Sequence, residues 1–335
     1  MDRTNPESPS NLPPELCDAI IDCLDGDFAT LKSTFEVDPN NIRELRSLLE
    51  CSCGFLLASV HSIHLTGRIR EQVDGCLEEL DGIAKLLHAQ LKEITFSYPG
   101  PKNLLKQPRL LNNLSQSITT LSLYHDAYRL DGREILFFLS YFKKTLECLN
   151  MYLDTPRRAL CSPDQPSPPY PESMRMLRLR RLKINVPWHD ILPWFLIPGL
   201  VEFPALEELD IWMAQSPLRG EGLLHQFLSS LCAKTLQHLV VSFMYETLPD
   251  INLSKFGALR SIKFDGWGAE NATDSEVEKL VTIVSRAPAS GKSFLDVFVT
   301  DSEYKPPPSA EKLKDRIRWF EDEWEWETRD GVIHE

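Results

Sequence analysis

One short phrase recurs along this chain, and it constrains the fold more than any other feature. The phrase runs apolar, two variable residues, apolar, one variable residue, apolar. It appears as VHSIHL (Val60 to Leu65), LKEITF (Leu91 to Phe96), ITTLSL (Ile118 to Leu123) and LECLNM from Leu146. LRRLKI from Leu179, LEELDI from Leu206, LQHLVV from Leu236, LRSIKF from Leu259 and FLDVFV from Phe294 complete nine copies. Their starts span residues 60 to 294 at an average spacing of about 29, with individual intervals from 23 to 35. On a strand, the fourth and sixth positions face one side and the third, fifth and seventh face the other. Helical spacings lie between the phrases, as in Cys76, Leu80, Ile83 and Leu87, in Leu223, Leu224, Phe227, Leu228 and Leu231, and in Val277, Leu280, Val281 and Val284. One strand and one helix cannot bury their own apolar faces, so such units must stack. A doubly wound α/β domain also alternates strands and helices, but its buried strands are near-continuous apolar runs. Here leucine alternates with charge, as in Arg181-Leu182-Lys183-Ile184. The expected product is an α/β solenoid of about nine strand–helix units, with strands on its concave side and helices on its convex side.

Over Val60 to Thr300 the chain resembles the leucine-rich repeat superfamily. The expected organisation is a flexible N-terminus over 1–10, a short helical segment over 11–33, the solenoid over 34–300, and a linker with a capping helix over 301–335. Six prolines between Thr155 and Ser173 predict a mobile loop after the fourth phrase. At the far end, Leu313, Ile317, Phe320 and Trp324 recur at helical spacing after Pro306-Pro307-Pro308, which predicts an acidic amphipathic helix over Ala310 to Thr328 covering the last repeat.

Composition narrows the partners. The 335 residues carry a formal charge of −13, which argues against a general nucleic-acid binder. No run approaches the roughly 18 apolar residues of a membrane span, and MDRTNPESPS does not read as a secretory signal. Eight cysteines scatter without CxxC pairs, and no histidine group near Cys51 and Cys53 completes a zinc pattern. Reduced, packed thiols in the cytoplasm or nucleus are expected.

The segment NLPPELCDAIIDCLDGDFATL, from Asn11 to Leu31, begins with a capping residue and prolines suited to a helix start. Leu16, Ile20 and Leu24 then fall on one face, with Ile21 alongside. LPPEL, these apolar positions, and a second helix start at Phe28-Ala29-Thr30-Leu31 resemble the opening of an F-box, specifically that of fungal F-box proteins with irregular leucine-rich repeats behind the box. The resemblance implies that Leu12, Pro13, Leu16, Ile20, Leu24 and Leu31 contact the Skp-type adaptor of an SCF ubiquitin ligase and its cullin core, while the repeats recruit the protein to be ubiquitinated. It covers about the first half of a box. The chain then passes to Thr34-Phe35-Glu36-Val37, which looks like the strand that normally follows the box, and no tryptophan precedes Trp188. The alternatives are a free-standing repeat scaffold with a decayed box, or a plain capping helix.

No catalytic or cofactor motif emerges. The string Ala287 to Ser293 ends in GKS, but Arg286 stands where a P-loop needs glycine and the string precedes a strand rather than following one. His61 and His64, three apart on a strand, face opposite sides and are not a metal pair. Asn113, Asn252 and Asn271 open N-x-S/T triplets, which carry no meaning without secretion. Arg175, Arg178, Arg180, Arg181 and Lys183 form a basic cluster, but Glu207, Glu208 and Asp210 on the next strand offer internal pairing. Ser8, Ser162 and Ser167, each before proline, are candidate phosphorylation sites. The chain therefore reads as a non-enzymatic adaptor.

The concave face is the candidate target site. Third, fifth and seventh positions there supply Tyr124, Tyr152, Arg181, Lys183, Glu208, Asp210 and Trp212, with Asn150 and Asn185 beside them. Tyrosine, tryptophan and arginine are common interface anchors.

Overall fold

Each of the nine phrases lies on a strand of a computed structural model. Phrase position pairs with phrase position between the copies starting at Val60 and Leu91, and from the copy at Leu146 through those at Leu179, Leu206, Leu236 and Leu259 to the one at Phe294. The structure describes residues 33–51, 60–66, 73–97, 101–126, 132–154, 173–185, 192–193, 195–197, 199–213, 221–232, 234–243, 251–265, 274–286, 295–299 and 317–320. The chain is α/β with parallel strands and forms two compact units, Met1–Leu121 and Ser122–Glu335.

In the first unit, β1 (Ser33–Val37), β2 (Val60–Leu65) and β3 (Glu93–Phe96) lie side by side. Ser62 is level with Glu93 and Ile63 with Ile94, third position with third and fourth with fourth. β1 continues the pattern, with Phe35 level with Ile63. Helices α1 (Ile42–Cys51), α2 (Val73–Leu86), α3 (Pro101–Leu104) and α4 (Pro108–Leu114) connect the strands, and α2 packs against both α1 and α4. Leu80, Ile83 and Leu87, three of the apolar positions expected on α2, are fully buried together with Leu77 and Ala84. The turn from β1 into α1 is tied reciprocally. The Asp38 carboxylate accepts the Asn40 and Asn41 N–H groups, and the Asn41 side-chain oxygen accepts the Asp38 N–H at 2.8 Å. Arg46 of α1 reaches Glu50 at 2.8 Å and Glu79 of α2 at 2.9 Å. Its guanidinium lies over Gly82, where a β-carbon would come within 2.8 Å of it.

The fourth expected position on α2, Cys76, is only half-buried. Burial pushes its thiol up to about 11, with the Asp38 and Glu79 carboxylates adding to the effect. Against the ordinary thiol value of 9.0, that lowers the thiolate fraction near neutral pH about 100-fold. Iodoacetamide alkylation of Cys76 at about pH 8, followed by peptide mass spectrometry, should proceed roughly 100-fold slower than that of a free cysteine peptide. A rate equal to the peptide's would contradict this environment.

In the second unit the sheet runs β4 (Thr120–Asp126), β5 (Cys148–Asp154), β7 (Arg181–Asn185), β9 (Glu208–Met213), β10 (His238–Phe243), β11 (Ser261–Asp265), β12 (Leu295–Val299) and β13 (Ile317–Phe320), with the first residues of β4 in the other unit. A separate pair, β6 (Met174–Arg175) and β8 (Val201–Glu202), precedes two of these strands. Helices α5 (Gly132–Phe142), α6 (Glu221–Phe227) and α7 (Asp274–Ser285) lie between strands. Cys148 is level with Arg181, Arg181 with Glu208, Glu208 with His238, His238 with Ser261, and Ser261 with Asp296. All are third positions. One backbone device repeats: the second-position carbonyl of each unit accepts N–H bonds from the second and third positions of the next. Glu147 thus accepts from Arg180 and Arg181 at 2.8 and 3.0 Å, Arg180 from Glu207 and Glu208, Glu207 from Gln237 and His238, and Gln237 from Arg260 and Ser261.

The expected two-faced strand is realised. Fourth-position Leu149, Leu182, Leu209, Leu239 and Ile262 and sixth-position Met151, Ile184, Ile211 and Val241 are all buried to 1% exposure or less. Before β8, Gly199 takes a φ of 73° and the Leu200 N–H reaches the Ile197 carbonyl at 3.1 Å, a turn that glycine permits and other residues resist. After α6 the helix opens into a wider turn at Leu228–Cys232. There the Ser230 hydroxyl donates to the Gln226 carbonyl at 2.5 Å, competing with the regular backbone bond.

One expectation is corrected. Instead of a helix through Ala310 to Thr328, Ile317–Phe320 form β13, parallel to β12 with Leu295 level with Ile317. Ile-Arg-Trp-Phe combines β-branched and aromatic residues, which favour a pleated strand, and β12 offers it a row of backbone partners. Residues 310–316 and 321–328 lie outside the described residues, as do 155–172 of the proline-rich segment, the GKS string, and Ser8, Ser162 and Ser167.

Candidate functional site

Strand alternation and register decide which side chains share the outer face. In the second unit, β4, β5, β7 and β9 are consecutive in the sheet, so all seven expected target-face residues come together. Tyr124 and Tyr152 stack, with ring centroids 4.3 Å apart and planes 4° from parallel. Tyr124 is 40% exposed, the outermost ring of the pair. Beneath them, the Asn150 amide donates to Ser122 Oγ at 3.0 Å. The next two strands carry two rungs of opposite charge. Arg181 Nε meets Glu208 Oε2 at 3.0 Å, and Lys183 Nζ meets Asp210 Oδ2 at 2.8 Å. Lys183 also lies 5.8 Å from the centre of the Tyr152 ring, a cation–π contact. Trp212 follows Ile211 on β9 and is half-buried.

The basic cluster is consumed by internal pairing. Besides the two rungs, Arg175 bonds Glu202 at 3.0 Å and Arg178 approaches Glu147 at 3.9 Å. Four of the five basic side chains thus face a carboxylate.

Lys183 carries the clearest electrostatic signature. Burial alone would lower its pKa, but the hydrogen bond and charge of Asp210, with a smaller contribution from Tyr152, outweigh burial and raise it above 10.5. A group held above its unfolded pKa adds stability that is complete below the unfolded value and lost as pH rises through the folded one. The difference in denaturation midpoint between the native chain and Asp210→Asn should therefore stay level from about pH 7 to about pH 10 and shrink above that. A gap that persists undiminished well beyond that range would contradict the pairing.

Register also reveals a contact that sequence reasoning passed over. His238 Nδ1 lies 2.7 Å from Ser261 Oγ, joining third positions of β10 and β11. The shared phrase position was the signal that could have found it. His61 and His64 engage separate groups, the Gln90 carbonyl at 3.2 Å and Ser97 Oγ at 2.7 Å. Asn113 bonds Asp81 at 2.6 Å. An open cleft of about 390 Å³ in the first unit is lined by Pro39, Asn40, Ile42, Arg43, Gly75, Cys76 and Glu79. Its thiol is the protonated Cys76, and its Arg43 and Glu79 pair at 3.4 Å. Among the described residues no group of three or more His, Cys, Asp or Glu is arranged to hold a metal ion, and no helix is long and apolar enough to cross a membrane.

The adaptor-contacting residues implied by the F-box resemblance, Leu12, Pro13, Leu16, Ile20, Leu24 and Leu31, lie outside the described residues. No family model matches the chain, and no curated protein matches it.

Proposed function

We propose that this chain is a leucine-rich-repeat adaptor that recruits a target protein to an SCF-type ubiquitin ligase. In this reading its units are stacked leucine-rich repeats. The face bearing Tyr124, Tyr152, Arg181, Lys183, Glu208, Asp210 and Trp212 holds the target. The segment over 11–33 holds the Skp-type adaptor and, through it, the cullin core. The observation that carries the target-binding half is the in-register row of rings and charge rungs on β4, β5, β7 and β9. Side chains locked by neighbours lose little freedom on binding, which favours a preformed interface. The ligase half rests on the LPPEL-type opening of the sequence. The chain performs no chemistry itself; holding target and ligase together raises their effective concentration.

The test has two arms. The native chain should co-purify with the Skp-type adaptor, and Leu16→Asp with Ile20→Asp should abolish that association. Alanine at Tyr152, Lys183 and Trp212 together should abolish target capture without affecting adaptor binding. Lack of adaptor binding by a folded native chain would defeat the ligase reading. A second reading, a free-standing repeat scaffold with a decayed box, draws on one observation: β1 is already paired with β2 at Ser33, where the second half of a full box would stand. Target capture without adaptor binding would favour it.

A further inference from the structure

The two units treat charge on their outer strand faces differently. On β7 and β9, opposite charges stand at the same phrase position and pair across the strands. In the first unit, Glu36 of β1 is level with His64 of β2, and Glu93 of β3 is level with Ser62. Neither carboxylate meets a lysine or arginine there. Among the described residues, neither side chain has an ion-pair or hydrogen-bond partner. Glu36 is exposed and Glu93 half-buried.

Ser62 lies on the same face, since the alternate residues Ile63 and Leu65 point into the core. It is 6% exposed, and its hydroxyl is buried without a hydrogen-bond partner. Two other buried serines at outer strand positions are bonded across strands. Ser122 Oγ accepts from the Asn150 amide at 3.0 Å, and Ser261 Oγ lies 2.7 Å from His238 Nδ1. A buried hydroxyl left unpaired is costly, and a ligand that donates to it recovers that cost.

These groups select a cation. The carboxylates repel an anion, and they and the hydroxyl all accept hydrogen bonds. A guanidinium suits them better than an ammonium, because its planar fork can take a carboxylate with two N–H groups and keep others for a hydroxyl. With no bond to hold them, both glutamate side chains can turn aside and admit it to Ser62. Spacing adds a second constraint. Glu36 and Glu93 stand two strands and two residues apart, about 12 Å between α-carbons. In an extended segment, residues four apart are about 13 Å from each other and project to the same side.

We infer that the outer face of β1, β2 and β3 docks an extended basic segment of a partner protein. Two arginines four residues apart reach it, one at Glu36 and the other at Glu93 and Ser62. This surface belongs to the first unit and rests neither on the ligase reading nor on the row of rings in the second.

The probe is a fluorescein-labelled, threonine-rich nonapeptide with two arginines four positions apart, titrated onto the full-length chain by fluorescence anisotropy. Its isomer with the arginines three positions apart, on opposite sides of an extended chain, should bind about tenfold more weakly. Glu93→Gln should lower affinity about tenfold or more, and Ser62→Ala about threefold or more. Glu78→Gln removes the same charge from an exposed position on α2 and should stay within about twofold. Ser62→Ala should melt no lower than the native chain, because the hydroxyl has no partner to lose. Equal losses for Glu93→Gln and Glu78→Gln would overturn the surface, leaving only attraction to the net charge. So would unchanged affinity in Ser62→Ala, equal binding of the two isomers, or binding that vanishes with EDTA, which would assign the carboxylates to a metal.

Discussion

Leu182→Asp is expected to unfold the second unit, whereas Arg181→Gln, one residue away on the same strand, should cost less than about 1 kcal/mol. Leu182 is 1% exposed on β7, level with Leu149 and Leu209 on the strands to either side, themselves 0% and 1% exposed. A carboxylate there meets only apolar neighbours. It must either remain ionised without a partner or take up a proton, and each course costs several kcal/mol. Losing the leucine adds about 2–5 kcal/mol. Together these approach the whole stability of a typical domain, about 5–15 kcal/mol. Arg181, by contrast, stands on the open side, its side chain 47% exposed and paired with a Glu208 that is 37% exposed. Urea titrations followed by far-ultraviolet circular dichroism would separate the two. A folded Leu182→Asp protein with a near-native midpoint would mean that the two strand faces have been assigned the wrong way round.

That contrast rests on the part of the fold most legible in the sequence. A phrase with apolar fourth and sixth positions admits one strand facing, and repeating it leaves one register in which every apolar position stays buried. The Arg181–Glu208 and Lys183–Asp210 rungs follow from that register, because opposite charges at the same phrase position become cross-strand neighbours. What stayed hidden depends on partners distant in sequence. Leu313, Ile317, Phe320 and Trp324 share a helical period, yet Ile317–Phe320 is a strand because β12 supplies hydrogen bonds that no local pattern encodes. The β6–β8 pair is too short to leave a periodic trace. At the candidate site, the seven residues were visible as a shared face. Which rings touch was not, because ring orientation depends on packing between strands. The stacked Tyr124–Tyr152 pair and the Lys183 contact with the Tyr152 ring emerge only once β4, β5 and β7 lie side by side.

Phe227→Ala is expected to destabilise the second unit by about 3–5 kcal/mol. Phe227 closes α6 and is 0% exposed. Its ring lies 6.0 Å from that of Phe195 and 6.3 Å from that of Phe203, while Phe195 and Phe203 meet edge to face at 5.6 Å. Two of the three rings come from the chain between β7 and β9 and the third from the helix after β9, so the cluster fastens one repeat to the next. Removing Phe227 takes away the buried ring and its aromatic contacts, and leaves a cavity that two other rings must collapse to fill. Phe195 and Phe203 flank the turn at Gly199, which their shift into the cavity would disturb, so collapse should be partial and the cost near the upper end of that range. Phe227→Leu, which keeps most of the volume, should lose about 1–2 kcal/mol. The measurement is the denaturation midpoint with the slope of the transition held under observation, since an unchanged slope shows that the loss lies in the folded core. Equal midpoints for the alanine and leucine variants would show that the cluster does not couple these repeats.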